Sequence, residues 1–179
     1  MKVTLIRHPT PLIAPGICYG RLDIAADPAA AEAVFRRALG RPATGVTGVW
    51  TSPARRCQDL ANAIGLPLAV PVTVDPRIQE LDFGTWEGKP WDEVARAELD
   101  AWAASPLTFA PPGGESAAIL TTRVHDFYTG LLRDRRNCIV VSHGGPLKVL
   151  AALLQGTPVD LLAPAAAIGS IETIVCAAA

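Results

Sequence analysis

The fold is decided by residues 138–145, which read CIVVSHGG. The first four of these residues form an apolar, β-rich run that predicts a buried strand, and the polar residues and glycines after them mark its end. A helix is expected to follow, from about residue 146 to residue 154. The N-terminus shows the same pattern, because the apolar run at residues 3–6 ends at Arg7 and His8. Two buried strands are therefore predicted to end in a histidine.

Strand and helix patterns alternate through the rest of the chain. Helices are predicted at residues 28–39, 53–64, 91–102 and 116–133, and strands at residues 46–50 and 168–176, with a further short strand within residues 66–75. Ser52 is expected to cap its helix, with Pro53 in the first turn and Gly65 at the end. Residues 107–114 are rich in proline and glycine and predict a loop. The alternation indicates an α/β fold, a three-layer α/β/α sandwich with helices on both faces of a mostly parallel central sheet.

The composition favours one globular domain over residues 1–179. A chain of 179 residues has the usual size of one domain, and no repeat or linker divides it. Apolar residues make up 50% and charged residues 18%, which excludes a disordered chain. The formal net charge is −1, so no global field attracts nucleic acid or an acidic membrane. An anionic ligand must therefore be held by a local cluster of cations.

The N-terminus and the cysteines favour a cytoplasmic location. The apolar run after Lys2 is too short for a signal peptide, and no stretch approaches the ~20 apolar residues of a membrane span. The four cysteines are widely spaced and form no C-x-x-C pair, which argues against a zinc or redox motif.

Several charged and polar side chains are expected at one edge of the sheet. In open α/β sheets, ligands bind beyond the carboxyl ends of the strands. Arg7, His8 and His143 lie at such ends, two arginines at residues 55–56 follow another strand, and Glu80 lies in a turn-rich stretch. Guanidinium groups hold phosphate oxygens in a fork geometry. A carboxylate among these cations is suited to protonating a leaving oxygen or activating water. The set indicates phosphoryl chemistry.

Four stretches resemble the signature blocks of the histidine phosphatase (phosphoglycerate mutase-like) superfamily, in that family's order and spacing. They are RH at residues 7–8, TSPARRCQ at 51–58, ELDFGTWEG at 80–88 and VSHGG at 141–145. The resemblance covers most of the chain and implies the phosphoglycerate mutase-like fold. Two further segments, GICYGRLD at residues 16–23 and PPGGES at 111–116, resemble the α-ribazole phosphatases of cobalamin biosynthesis.

The resemblance implies a role for each polar residue of the site. It implies that His8 is the nucleophile that takes the phosphoryl group as phosphohistidine. Glu80 then protonates the leaving oxygen and later activates water. Arg7 and Arg56 clamp the phosphate oxygens, and His143 neutralises charge in the transition state. The resemblance implies no metal and no cofactor.

The second block contains two adjacent arginines, of which we assign Arg56 to the phosphate. The family block places its arginine four residues after the second small polar residue, and counting from Ser52 gives Arg56. On a helix that starts near Pro53, Arg55 points about 100° away from Arg56. Arg55 is therefore expected at the surface.

Three further residues are predicted to bind substrate. The family most often has Gly after the Arg-His pair, whereas this chain has Pro9. Proline has no backbone N–H, so Thr10 is expected to supply a hydroxyl to the phosphate instead. Arg21 is placed to reach the substrate from a turn, and Gly144 to offer an amide at a helix N-terminus.

Together with the residues of the site, the resemblance implies a metal-independent phosphomonoesterase that acts on a small phosphorylated metabolite, with α-ribazole 5′-phosphate as the expected substrate. A broad-specificity phosphatase, a phosphoglycerate mutase-type phosphotransferase and a phosphate-binding module without turnover are the alternatives. Hydrolysis is favoured because 179 residues leave little room for the extra segments that close a mutase site against water. Selectivity is expected to reside in residues 12–24 and 86–116. The sequence leaves the oligomeric state open.

Overall fold

A computed structural model describes residues 1–41 and 43–176 of the chain. Its centre is a five-stranded sheet with the strand order β3-β2-β4-β1-β5. The strands are β1 (Lys2–Arg7), β2 (Val46–Thr51), β3 (Val72–Val74), β4 (Asn137–Ser142) and β5 (Ile171–Val175). The first four strands pair in parallel, and β5 adds to β1 in the antiparallel direction. The prediction of a mostly parallel sheet is confirmed.

Helices cover both faces of this sheet. They are α1 (Pro28–Leu39), α2 (Arg55–Leu68), α3 (Arg96–Ala104), α4 (Ala117–Asp134) and α5 (Gly144–Gln155). Side chains of β4 alternate between two apolar cores: Val140 packs with residues of α4 and α5, and Val141 packs with residues of α1 and α2. Helices thus cover both faces of β4, which explains why residues 138–141 are all apolar. The predicted three-layer sandwich is confirmed.

The register of the two central strands places the histidines together. Strands β1 and β4 are neighbours, and Arg7 lies opposite Ser142 at their carboxyl ends. The main-chain N–H of His8 donates to the carbonyl of Ser142 over 2.9 Å. His8 and His143 therefore leave the sheet side by side.

Two predicted helix starts are confirmed by their caps. The Asp27 carboxylate accepts from the N–H of Ala30 over 2.8 Å at the start of α1. The Ser116 hydroxyl accepts from the N–H of Ile119 over 3.4 Å at the start of α4. Among the described residues, no helix combines the length and the apolar character that crossing a membrane requires.

The predicted bounds of α2 are wrong at both ends. The helix begins at Arg55 after Ala54, with no side-chain cap, so Ser52 is not its N-cap. Gly65 lies inside the helix, which continues to Leu68. A Cβ at Gly65 would come within 2.5 Å of the Val72 side chain, so this glycine allows α2 to pack closely on β3 rather than ending the helix.

The predicted helix over residues 91–102 is also wrong as a single element. A short 3₁₀ turn at Trp91–Glu93 is followed by extended backbone at Val94 and then by α3. The break lets Val94 and Trp91 pack into one cluster with Trp86, which is almost fully buried. Burial of these large side chains outweighs the local preference for a continuous helix.

Candidate active site

The two strand-end histidines form the centre of the site. Their ring centroids lie 5.1 Å apart with the planes inclined by 62°. Both side chains are completely buried. Charged forms are costly in such surroundings unless they are paired, so both rings are held as neutral imidazoles.

His8 presents one ring nitrogen without a proton. Its Nδ1 lies 2.8 Å from the main-chain oxygen of Pro9, which can only accept, so Nδ1 carries the hydrogen. Burial lowers the pKa of His8 to about 3. The hydrogen bond to the Pro9 carbonyl raises this pKa, whereas the charges of Arg56 and Arg7 lower it further. Nε2 therefore keeps its lone pair, and this buried atom has no hydrogen-bond partner among the described residues.

His143 is held in the opposite tautomer. Its Nδ1 lies 3.3 Å from Nη2 of Arg56, and its Nε2 lies 2.7 Å from the hydroxyl of Ser52. A guanidinium has no acceptor, so Nδ1 accepts and Nε2–H donates to Ser52. Burial lowers the pKa of His143 well below its ordinary value, and Arg56 adds to this effect.

Ser52 is a functional residue that sequence reasoning assigned to another role. Its hydroxyl orients His143 instead of capping α2. The available signal was its position, because Ser52 directly follows β2 at the same sheet edge that carries His8 and His143.

Arg56, and not its neighbour Arg55, lies in the site. Arg56 is completely buried, whereas Arg55 is exposed at the first turn of α2. The guanidinium donates to the carbonyls of Gly20 and Leu22, both over 2.7 Å. It also lies 5.1 Å from the ring centroid of Tyr19, a contact that the sequence did not indicate. These contacts fix the direction of the guanidinium beside the histidines.

Two glycines in the first turn of α5 make room for charged side chains. This helix begins at Gly144, two residues before its predicted start. A Cβ at Gly144 would lie 3.1 Å from Cζ of Arg7, and one at Gly145 would lie 2.5 Å from Oε1 of Glu80. Arg7 is held by the carbonyl of Ala166 over 2.5 Å, and its buried Nε has no partner in the described residues. The glycines let Arg7 and Glu80 approach the helix N-terminus.

The Glu80 carboxyl group lies against main-chain amides. Oε1 accepts from the N–H of Leu81 over 3.0 Å, and the N–H of Gly145 lies 3.3 and 3.4 Å from the two carboxyl oxygens. Burial raises the pKa of Glu80, while these amides and the charges of Arg7 and Arg56 oppose the rise. Glu80 thus holds a proton to higher pH than a solvated glutamate, which suits a proton donor.

Thr10, Arg21 and Gly144 are the remaining residues that were predicted to contact substrate. Thr10 is exposed two residues beyond His8. The guanidinium of Arg21 pairs with the carboxylates of Asp82 over 3.2 Å and Glu115 over 2.9 Å. The contacts of Thr10, Arg21 and the Gly144 amide with substrate stay predictions.

A cavity of about 290 Å³ adjoins Arg7 and Glu80. Its walls are mainly apolar and aromatic, and they include Phe83, Trp102, Leu120, Leu161 and Ala165. Residues 161 and 165 belong to a segment that the sequence did not associate with selectivity. One further cation, Lys148, lines the cavity and donates to the carbonyl of Leu161 over 3.0 Å. The cavity is suited to the organic part of a phosphate ester.

A second concave region lies away from this site. A larger groove of about 850 Å³ runs between the C-terminal end of α5 and β5, at the opposite edge of the sheet. In the part of the chain that the structure describes, no group of three or more His, Cys, Asp or Glu residues is placed to hold a metal ion. Independence from metals stays a prediction.

Comparison with known proteins places the chain in a family. The family model for the histidine phosphatase superfamily (branch 1) matches residues 3–173, so the chain belongs to that superfamily. A proposed phosphoserine phosphatase of Hydrogenobacter thermophilus is 30% identical over 169 residues, which are 90% of this chain and 82% of that protein. The adenosylcobalamin/α-ribazole phosphatase of Escherichia coli is 29% identical over 119 residues, 64% of this chain and 59% of that protein.

The solved structures give the same result for the fold. The structure of a mycobacterial glucosyl-3-phosphoglycerate phosphatase matches with a TM-score of 0.76 and 25% identity, over 88% of this chain and 81% of that one. The three relatives are named for three different phosphate esters. The family, the fold and the relatives therefore identify this chain as a phosphatase of the histidine phosphatase superfamily. They do not identify its substrate.

Proposed function

We propose that this protein hydrolyses phosphate monoesters in two steps through a phosphohistidine at His8. One observation carries the proposal: the Pro9 carbonyl fixes the proton on Nδ1 of His8, which leaves a buried, unprotonated Nε2 beside His143 and Arg56. A neutral imidazole with a fixed tautomer is a competent nucleophile.

In the first step, the Nε2 lone pair of His8 forms a bond to phosphorus while the bond from phosphorus to the leaving oxygen breaks. Glu80 transfers its proton to that oxygen, so the organic product leaves as a neutral alcohol. Arg7 and Arg56 donate to the non-bridging oxygens and neutralise part of the developing charge, while the neutral ring of His143 accepts from Arg56 and holds the guanidinium beside them. Most of the rate acceleration comes from such positioning and charge stabilisation.

In the second step, the Glu80 carboxylate accepts a proton from water as the water oxygen bonds to phosphorus. The bond between phosphorus and Nε2 breaks, and its electron pair returns to His8. Inorganic phosphate leaves, and Glu80 is protonated again for the next cycle.

The test compares His8→Ala with His125→Ala, since His125 is an exposed histidine on α4. Hydrolysis of p-nitrophenyl phosphate is measured for both. We expect His8→Ala to lose at least about 10³-fold in kcat, as is typical when a nucleophile is removed, and His125→Ala to match the wild type. A His8→Ala protein that keeps wild-type activity would rule out the phosphohistidine step.

For the substrate, we propose α-ribazole 5′-phosphate, in which an aromatic base is attached to the ribose. The likeness to the Escherichia coli enzyme and the aromatic cavity beside Glu80 support this choice. Kinetics on a panel of α-ribazole 5′-phosphate, phosphoserine, glucosyl-3-phosphoglycerate and sugar phosphates test it. The proposal requires the highest kcat/KM for α-ribazole 5′-phosphate, and equal values across the panel would indicate a broad-specificity phosphatase instead.

A further inference from the structure

We infer that Glu115 and Arg123 are positioning residues that hold the main chain of Glu80 and thereby aim its carboxyl group at the leaving oxygen. The inference rests on the proposed role of Glu80 as the proton donor. It concerns two residues outside the phosphate-binding cluster, one in the loop before α4 and one within that helix.

Arg123 joins two points of the segment that carries Glu80. Its Nη2 donates to the carbonyl of Glu80 over 3.0 Å, and its Nη1 donates to the carbonyl of Arg77 over 2.7 Å. The planar guanidinium thus fixes the distance between two carbonyls three residues apart. Because α4 packs against this segment, the helix supplies a rigid support for the acid.

Glu115 holds the guanidinium groups in place. Its Oε1 accepts from Arg123 over 2.6 Å, from Arg21 over 2.9 Å and from the N–H of Asp82 over 3.2 Å. Its Oε2 accepts from Nε of Arg123 over 3.2 Å, which makes the pair bidentate. Arg21 in turn donates to the carbonyl of Glu80 over 3.3 Å. Arg123 and Arg21, which both bind the Glu115 carboxylate, therefore both donate to the carbonyl of Glu80.

The pair is shielded from water. The side chains of Glu115 and Arg123 are only 9% and 14% exposed, so water competes weakly for their hydrogen bonds. By contrast, the contacts of the Glu80 carboxyl group with Gly145 are long, at 3.3 and 3.4 Å, and its shorter bond of 3.0 Å comes from the N–H of Leu81 in the same stretch of main chain. The main chain therefore sets the position of the carboxyl group, and a shift of ~1 Å can cost about 10²-fold in rate.

The consequence is selective for the leaving group. Protonation matters for an alkyl phosphate, whose alkoxide is a poor leaving group, and much less for p-nitrophenyl phosphate. The hydrogen bonds of Glu115 and Arg123 that define the inference go to residues 77–82, and not to His8, Arg7 or Arg56. Loosening the pair should therefore slow the first step for the alkyl ester more than for p-nitrophenyl phosphate, whereas the second step is common to both esters and slows equally.

The experiment measures the ratio of kcat/KM for α-ribazole 5′-phosphate to kcat/KM for p-nitrophenyl phosphate, because kcat/KM reports the step in which the alcohol leaves and not the second step that both esters share. The variants are Arg123→Lys and Glu115→Gln, with Glu80→Gln as reference and Arg36→Lys, in an exposed ion pair with Glu32, as control. A lysine cannot bridge both carbonyls and Glu115 at once. Because both rates scale with the folded fraction, the ratio does not depend on how much of a variant folds.

We expect the ratio to fall about tenfold or more in both variants, further in Glu80→Gln, and to stay unchanged in Arg36→Lys. A ratio that falls in Glu80→Gln but stays at the wild-type value in Arg123→Lys and Glu115→Gln would overturn the positioning role alone. A ratio unchanged in Glu80→Gln would overturn the role of Glu80 as proton donor, and with it the proposed function on which the inference rests.

Discussion

The phosphate-binding end of the site and the cavity beside it are held by different kinds of contact. At the phosphate end, His8, His143 and Arg56 are completely buried, and each is oriented by a short hydrogen bond that it donates to a main-chain carbonyl or to a neighbouring hydroxyl. The cavity is bounded mainly by apolar side chains from loops and short turns, such as Phe83 and Leu161. Fixed polar geometry suits a charge distribution that all phosphate esters share, whereas apolar area suits recognition of one organic group.

This contrast separates two kinds of variant. A change at the phosphate end should reduce the turnover of every ester by a similar factor. A change in the cavity wall should act on one substrate and spare the others. Variants of Arg56 and of Leu161 test that separation.

Replacing Arg56 by Lys should lower kcat by about 10²- to 10³-fold, the range seen when one donor to a developing charge is lost. The lysine keeps the charge but cannot reproduce the bonds to Gly20 and Leu22 together with a contact to phosphate. Kinetics on p-nitrophenyl phosphate and α-ribazole 5′-phosphate should show equal losses. Arg55→Lys, at the exposed neighbouring position, is the control, and a comparable loss there would contradict the assignment of Arg56.

The pH dependence of kcat should show a wide acid plateau. His8 acts when unprotonated, and its pKa is lowered from 6.5 to about 3, so kcat should not fall as the pH drops through 6.5. Glu80 acts when protonated, and because its pKa is raised, kcat should fall as the pH rises through that pKa. The basic limb should be absent in Glu80→Gln. An acid limb centred near 6.5 would show that His8 titrates as a solvated imidazole.

A smaller effect is expected at the cavity wall. Leu161→Ala removes apolar contact worth about 1 kcal/mol, so KM for α-ribazole 5′-phosphate should rise about fivefold. KM for p-nitrophenyl phosphate should change less, because its ring covers less of the wall. The adjacent Leu162, which is 77% exposed, provides the control Leu162→Ala. Equal effects of both variants would place the substrate elsewhere.

Removal of divalent metals should have no effect. The proposed steps use only side chains of this protein, so dialysis against a chelator should leave kcat for p-nitrophenyl phosphate unchanged. Activity that is lost in the chelator and restored by a metal would contradict the sequence-based prediction.

The central sheet and the strand-end histidines could be predicted because their signals are local. An apolar run that ends in Arg-His or Ser-His marks both the strand and its polar end, and parallel neighbours bring such ends together. The predicted start of α2 was wrong because the Ser52 hydroxyl has two possible hydrogen-bond partners, the helix amides and His143. Only the distant strand β4 decides between them.

The contacts that orient the site were harder to predict because they join distant segments. Arg123 meets Glu80 across 43 positions of the chain, and Arg7 meets Ala166 across 159. Neither pair has a local spacing that a single sequence reveals. The sequence also did not indicate the part of the cavity wall at residues 161–165. That segment has no strong helix or strand pattern, and it meets the site only through the fold.

The stereochemical course at phosphorus distinguishes transfer through His8 from direct attack by water on the ester. A phosphate ester made chiral at phosphorus with sulfur and oxygen isotopes is hydrolysed in isotopically labelled water, and the configuration of the product is determined. Transfer to Nε2 of His8 and then to water inverts the configuration twice, so we expect overall retention. Overall inversion would show that water attacks the ester directly, and would contradict the phosphohistidine mechanism.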